Sequence, residues 1–178
     1  RVQVDHPDQL GIDRLLAAHA ARRQFGSPLV VVDAGSAVTV DWVDSEGEFC
    51  GGAILPGLAL QLAVLANGTD ALPQIELRES GSLDRPGRNT TDAIRLGVLT
   101  GVVAAIERLV EEFSRITAAS SPEQGLINPG VILTGGDALM ISALLRRPHQ
   151  LAHNLVCRGL LDLPRSAFDA TNPDGELE

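Results

Sequence analysis

Lysine is absent from this sequence: all 14 basic residues are arginine, and there is no tyrosine. The absence of lysine excludes a P-loop kinase, which places a lysine at the phosphates, and a Schiff-base enzyme, which reacts through a lysine amine. Aromatic residues make up only 3% of the chain, so a surface that stacks nucleic-acid bases is not expected. The formal net charge of −9 also disfavours nucleic acid and anionic membranes as partners.

Cysteine and long apolar runs are scarce as well. Cys50 and Cys157 do not form a C-x-x-C pair, so neither a disulfide framework nor a zinc knuckle is predicted. The longest apolar run, 96–106, has about half of the roughly 20 residues that a membrane helix needs. The first nine residues are polar and do not resemble a signal peptide. We therefore expect a soluble, cytoplasmic protein.

The hydrophobic content of 44% over 178 residues is sufficient for one core. Apolar spacing and turn residues predict helices over 12–25, 58–66, 91–117 and 138–145, and strands over 29–33, 37–43, 49–55 and 131–133. The short turns between the first three strands indicate an antiparallel meander. The order of elements predicts an α/β fold with a mixed sheet and flanking helices. Residues 166–178 are predicted to form a loose tail.

The first candidate site is the turn Asp33-Ala34-Gly35-Ser36, between two predicted strands. A glycine in such a turn lets backbone amides approach an anion. The aspartate could hold a cation that neutralises phosphate, and the hydroxyl of Ser36 could reach a phosphate oxygen. An ordinary hairpin turn, in which Asp and Ser close local hydrogen bonds, explains the same residues.

The second candidate, Thr134-Gly135-Gly136-Asp137, follows a predicted buried strand and precedes a helix. Backbone amides at such a junction can face a ligand, and adjacent glycines let a flat ring or a phosphate lie on the backbone. A glycine turn in which Asp137 caps the helix is the alternative.

Two helix starts also carry residues that could act on a substrate. Asp13 could act as a general base, and Arg14 could clamp a carboxylate or phosphate with two hydrogen bonds. An acidic residue at a helix start is also favoured by the helix dipole alone. Thr90 could bind substrate or, with Thr91, cap the long helix. On that helix Gly97 and Gly101 lie four residues apart and could admit a close neighbour, or could simply be tolerated.

Together these segments resemble a type III pantothenate kinase, a family of the actin–hexokinase superfamily. The resemblance covers most of the chain and rests on segments in the family's order: DHPDQLGIDR (5–14), DAGSAVTVD (33–41), GGAILPG (51–57), TDALPQIEL (69–77), GRNTTDAIRLG (87–97), VILTGGDA (131–138) and HNLVCRGLLDL (153–163). It implies a ribonuclease-H-like lobe of the actin/hexokinase type over 29–165, preceded by a substrate-side helix over 1–28.

The resemblance implies ATP-dependent phosphorylation of pantothenate to 4'-phosphopantothenate, the first step of coenzyme A biosynthesis, with Mg²⁺ accompanying ATP. Asp13 would be the proton acceptor, and Asp33 would bind a monovalent cation, K⁺ or NH₄⁺. The substrate would contact Gly11, Ile12, Asp13, Arg14 and Thr90, and the nucleotide would contact Gly35, Ser36, Thr134, Gly135 and Gly136. The family also implies a homodimer, in which the glycine-marked helix has a possible role.

The sequence departs from the family in one respect. Family members carry an upstream strand with a DxGN(T/S) phosphate loop, whereas only ten residues precede Gly11 here. We therefore expect the first lobe to be absent from this chain. The alternative function is that of a non-catalytic relative, truncated or regulatory, that binds a ligand or partner without turnover. A sugar kinase of the same superfamily is disfavoured by G-x-D-R beside D-x-G-S-A.

Overall fold

The computed structural model describes residues 1–77, 85–120 and 128–164. After a single 3₁₀ turn, the helices are α1 (Ile12–Phe25), α2 (Leu58–Asn67), α3 (Thr90–Ser120), α4 (Ala138–Ser142) and α5 (Leu155–Leu161). The strands are β1 (Leu29–Ala34), β2 (Ala37–Val43), β3 (Phe49–Pro56), β4 (Gly130–Thr134) and β5 (Gln150–Leu151). The predicted tail over 166–178 lies outside the described residues.

The described strands form one mixed sheet in the order β3-β2-β1-β4-β5. Strands β1, β2 and β3 are antiparallel neighbours, whereas β4 and β5 run parallel to β1. The antiparallel meander followed by parallel strands is the topology of a ribonuclease-H-like lobe. The predicted α/β fold class with a mixed sheet and flanking helices is therefore confirmed.

Alternation along the central strand divides the core between the two faces of the sheet. Val30, Val32 and Ala34 belong to a cluster with α2, α3 and α4, whereas Leu29 and Val31 belong to one with α1 and α5. Both faces of β1 are thus covered, as expected for a central strand that has a parallel neighbour in β4. The site described below lies at the carboxyl end of this strand.

Helices α1 and α5 pack closely on one face. A Cβ at Gly159 of α5 would lie 2.2 Å from the carbonyl oxygen of Leu16, so only glycine fits this contact. Ala17, Ala20 and Ala21 of α1 are buried in the same layer. These small side chains allow the close approach that fixes α1, and therefore its first turn, against the sheet.

Three sequence-based predictions about elements need correction. Helix α4 ends at Ser142, not at residue 145, because the amides of Leu144 and Leu145 both donate to Ile141 O and close a tighter turn. The apolar pieces at 155–157 and 160–163 form one helix, α5, over Leu155–Leu161. The two-residue strand β5 was not predicted, because a strand this short has no periodic pattern.

Asn89, and not Thr90 or Thr91, caps α3: its side-chain oxygen accepts the amide of Asp92 at 2.9 Å. Within the described residues nothing lies within 4 Å of a Cβ built at Gly97 or Gly101, so none of the described elements fills the space beside these glycines. Among the helices described, none combines the length and the apolar character needed to cross a membrane.

Candidate functional site

The candidate site lies at the carboxyl ends of the parallel strands β1 and β4. Asp33 near the end of β1 is in register with Thr39 of β2 on one side and with Thr134 of β4 on the other. By the alternation of β1, Asp33 points to the same face as Leu29 and Val31, which is the face covered by α1. A row of one carboxylate and two hydroxyl residues thus lies under the start of α1.

The first turn of α1 brings a second carboxylate to this face. The Oδ1 atom of Asp13 accepts the backbone amide of Arg14 at 2.9 Å, which folds the carboxylate back over the helix start. A Cβ at Gly11 would lie 2.6 Å from that Oδ1 atom. The G-x-D-R segment therefore needs its glycine to leave room for the aspartate. Ile12 between them is 64% exposed and is free for contact with a ligand.

The electrostatics of Asp33 show that its surroundings are short of positive charge. Burial raises the pKa of Asp33, and the carboxylates of Asp13 and Asp41 raise it further. A bound cation would relieve both effects, because it compensates for lost hydration and for repulsion between carboxylates. Asp33 and the adjacent hydroxyl oxygens are suitable ligands for a hard cation, which prefers oxygen.

Arg14 does not extend into solvent but turns inward to Asp41, a residue that sequence reasoning did not single out. Both Nε and Nη2 of Arg14 donate to Oδ1 of Asp41, the Nε bond being 2.9 Å long. Asp41 is 1% exposed and lies in the middle of β2. The signal in the sequence was a carboxylate within A-V-T-V-D-W-V, a strand whose other residues suit burial on both faces.

In the β1–β2 turn, one of the backbone amides predicted to face a ligand is hydrogen-bonded within the chain instead. The amide of Gly35 donates to Ala37 O at 2.9 Å, so it closes the hairpin. Ser36 at the tip is exposed, and its hydroxyl can reach a ligand. Gly57 packs against this tip, since a Cβ there would lie 2.2 Å from Gly35 O.

The junction between β4 and α4 lies directly beside that turn. Gly135 has a φ of +97°, and a Cβ there would lie 2.3 Å from Ala34 O, so the junction crosses the end of β1 in close contact. The amide of Asp137 donates to Ala34 O at 3.0 Å. Asp137 makes no side-chain cap to α4, and burial raises its pKa. No atom of the described residues lies within 4 Å of a Cβ built at Gly136, so the backbone there is open to a ligand.

Thr90 is not brought together with Asp13 in a single chain. It lies at the start of α3, on the opposite face of the sheet from α1. There it lines an apolar cavity of about 870 Å³, a volume typical of small-molecule sites, together with Pro56, Val64 and Gly97. Pro56 pairs with Ala37 next to the β1–β2 turn, so the cavity and the carboxylates lie near the same end of the sheet's strands.

A multidentate transition-metal centre is not supported by the part of the chain that is described, where no three His, Cys, Asp or Glu side chains cluster as metal ligands would. His149 instead bonds to Ser142 Oγ through Nε2 and to Arg147 O through Nδ1, each at 2.7 Å.

Comparison with known proteins places this geometry in context. Residues 1–112 match the family model of type III pantothenate kinases. The chain is 45% identical over 172 residues to the type III pantothenate kinase of Rhodopirellula baltica, with 91% of this chain and 57% of that protein covered. It is 38% identical over 154 residues to that of Synechococcus elongatus, with 83% and 58% covered. The chain thus spans less than two thirds of these relatives.

A solved structure has a similar fold. A protein from Campylobacter jejuni, assigned to the Baf family of transcriptional activators, superposes with a TM-score of 0.66 at 25% identity. The superposition covers 95% of this chain and 70% of that protein.

Proposed function

The chain belongs to the type III pantothenate kinase family, and we propose that it acts in the ATP-dependent phosphorylation of pantothenate to 4'-phosphopantothenate, the first step of coenzyme A biosynthesis. The observation that carries this proposal is the position of Asp13. Its carboxylate is held at the start of α1 by the amide of Arg14, and it is close enough to Asp33 to raise the pKa of that half-buried carboxyl. A base beside a strand end that is rich in carboxylates and short of positive charge suits phosphoryl transfer, which needs a proton acceptor and bound cations.

In the proposed reaction Asp13 accepts the proton of the primary hydroxyl of pantothenate. The hydroxyl oxygen forms a bond to the γ-phosphorus of ATP while the bond between that phosphorus and the bridging oxygen breaks, and ADP leaves. The protein contributes position and charge rather than covalent chemistry. Gly11 and Ile12 border the base, and Arg14 supplies the one guanidinium of this cluster.

The nucleotide is proposed to lie across the β1–β2 turn and the β4–α4 junction. The exposed hydroxyl of Ser36 and the open backbone at Gly136 would face its phosphates, with Gly35, Thr134 and Gly135 shaping the surface beneath. Asp33 would hold K⁺ or NH₄⁺ there, and Mg²⁺ would come with ATP. Both cations would neutralise phosphate charge. Lysine side chains cannot fill this role here, because the chain has none.

A homodimer is proposed because one chain leaves Thr90 apart from Asp13. Ala93, Gly97, Gly101 and Ala104 form an exposed stripe of small residues along α3. The stripe borders the apolar cavity that Thr90 lines. A second copy packed on this stripe would cover the cavity and place Thr90 at the substrate site of the assembly.

A second candidate is ligand binding without turnover, in the cytoplasm as for the first. The observation in its favour is the similarity of the fold to that of a protein assigned to a family of transcriptional activators. The two candidates differ in one measurable property, which is the release of ADP.

The test follows ADP release by the 178-residue chain with ATP, pantothenate, Mg²⁺ and K⁺, alongside calorimetric binding of pantothenate. Asp13→Asn should lower kcat by about 10²–10⁴-fold, because it removes the general base, while pantothenate binding changes little. The control is Asp8→Asn, which removes an exposed carboxylate just before α1 and should retain wild-type turnover. Equal turnover of Asp13→Asn and wild type would reject the base, and binding without ADP release would favour the second candidate.

A further inference from the structure

Asp41 is a buried carboxylate of the site that takes no part in the proposed reaction. Its Oδ1 atom accepts two bonds from Arg14, and its Oδ2 atom accepts the hydroxyl of Thr39 at 3.1 Å. Burial raises the pKa of Asp41, while the hydrogen bonds and charge of Arg14 oppose that rise. Among the described residues, the hydrogen bonds of this carboxylate thus go to one guanidinium and to one hydroxyl of its own strand.

The surroundings of the pair leave Arg14 a single orientation. Its guanidinium carbon lies 5.6 Å from the centre of the Phe49 ring, which supports one side of the planar group. On β3, opposite Asp41, a Cβ at Gly52 would lie 2.7 Å from Asp41 Oδ1, so glycine is needed there. The side chain of Arg14 is only 15% exposed. Such packing and hydrogen bonding lock a side chain as functional sites require.

One edge of the guanidinium remains available. Asp41 engages Nε and Nη2, and Nη1 has no hydrogen-bond partner among residues 1–77, 85–120 and 128–164. Nη1 is also not a buried orphan; in that part of the chain only Arg95 Nε is. A guanidinium held on one side by a carboxylate can still bind an anion with the other, because it carries five N–H donors.

Stability alone does not account for the pair. A buried ion pair generally gains little over apolar residues of similar size, because desolvation offsets the Coulomb attraction. On the side of Asp41 away from Asp33 and Thr39, the same face is apolar, with Val31, Val43 and Phe49 in its core. The pair also fixes the residue directly after Asp13, the proposed base.

We propose that Asp41 is a positioning residue: it holds Arg14 so that the free Nη1 edge meets the carboxylate of the substrate. This inference rests on the proposed function, because it takes pantothenate as the ligand. It adds a residue to the substrate site that does not itself touch substrate. Losing Asp41 would leave Arg14 able to turn away, which weakens recognition of the anionic group in particular.

The experiment compares two ligands by calorimetry: pantothenate, and the neutral alcohol in which a hydroxymethyl group replaces the carboxylate. Asp41→Asn should weaken pantothenate binding at least 10-fold and binding of the alcohol less than 3-fold. Arg14→Gln should show the same selectivity, and the double variant should be no worse than either, since the residues act as a unit. Asp162→Asn is the control. It breaks an ion pair with Arg23, which lies on α1, the helix that also carries Arg14.

An equal loss for both ligands, or no loss, would overturn the positioning role. Fluorescence of Trp42, the single tryptophan, verifies that each variant is folded. Hydrogen exchange at the Arg14 side-chain Nε–H gives a readout that needs no ligand. It should be slow in wild type and Asp162→Asn and at least 10-fold faster in Asp41→Asn, and an unchanged rate would overturn the inference. If wild type binds neither ligand, the proposed function fails, and so does the statement that Arg14 meets the substrate carboxylate. Hydrogen exchange at the Arg14 Nε–H still decides whether Asp41 fixes Arg14.

Discussion

At the scale of single residues, Gly11 offers a direct way to move the proposed base without disturbing the fold. A methyl group at this position would lie 2.6 Å from Asp13 Oδ1, the end of a flexible side chain, and the backbone φ of −57° suits alanine. Gly11→Ala should therefore displace the carboxylate and leave α1 intact. We expect kcat/KM for pantothenate to fall about 10–100-fold, because misplacing a catalytic group by about 1 Å can cost this much.

The matched control for Gly11→Ala is Gly130→Ala. Gly130 begins β4, and in the described part of the chain no atom lies within 4 Å of a Cβ built there. Its variant should keep both turnover and melting temperature. Gly11→Ala should also keep its melting temperature within a few degrees, so a large drop in stability would show that Gly11 supports the fold and not the position of Asp13.

Motif chemistry predicted the carboxylates of this site, but not how they are partnered. Asp13 and Asp33 follow from their places at a helix start and a strand end. Asp41 could not be distinguished, because its partner lies 27 residues away and only the packing of α1 on β2 brings them together. The separation of Thr90 from Asp13 was equally hidden, since a sequence does not show which face of the sheet each helix covers.

At the scale of elements, length decided what the sequence could predict. The first strands and α1, α2 and α3 have several periods of apolar spacing, and their predicted bounds agree with the structure within a few residues. Helix α5 and strand β5 are seven and two residues long and depend on tertiary contacts, such as Gly159 on Leu16. Short elements of this kind carry too little pattern to be predicted alone.

The exposed stripe on α3 gives a test of the proposed homodimer. Gly97→Leu adds a side chain at a position where no atom of the described residues lies within 4 Å of a Cβ, so the monomer should tolerate it. Leucine also favours helix over glycine by about 0.5–1 kcal/mol. We therefore expect monomer stability to rise and dimer affinity to fall at least 10-fold in sedimentation equilibrium.

Gln24→Leu adds the same side chain to an exposed position of α1, on the other face of the sheet, and should leave association unchanged. A Gly97→Leu chain that dimerises as tightly as wild type would exclude this stripe as the interface.

At the scale of the whole molecule, the carboxylates that serve the site work against the stability of the fold. Burial raises the pKa of Asp33, Asp41 and Asp137, so each is harder to ionise in the folded chain than in the unfolded chain. Folded protein then retains protons at a pH where unfolded protein has released them. The free energy of unfolding therefore decreases as the pH rises through these folded-state pKa values. Such a cost at a functional site is the usual trade of stability for activity.

Asp33→Asn isolates this cost and tests the proposed cation in the same measurement. In tetramethylammonium chloride at pH 8 the variant should melt at a higher temperature than wild type, because it removes a half-buried charge that neighbouring carboxylates repel. The difference should close as the pH falls toward 3.8, the ordinary pKa of the group. In K⁺ at the same ionic strength the difference at pH 8 should shrink, since a cation bound at Asp33 stabilises only the wild type. If the variant melts below wild type without K⁺, Asp33 supports the fold. If K⁺ does not change the difference in melting temperature between variant and wild type, Asp33 is not the cation ligand.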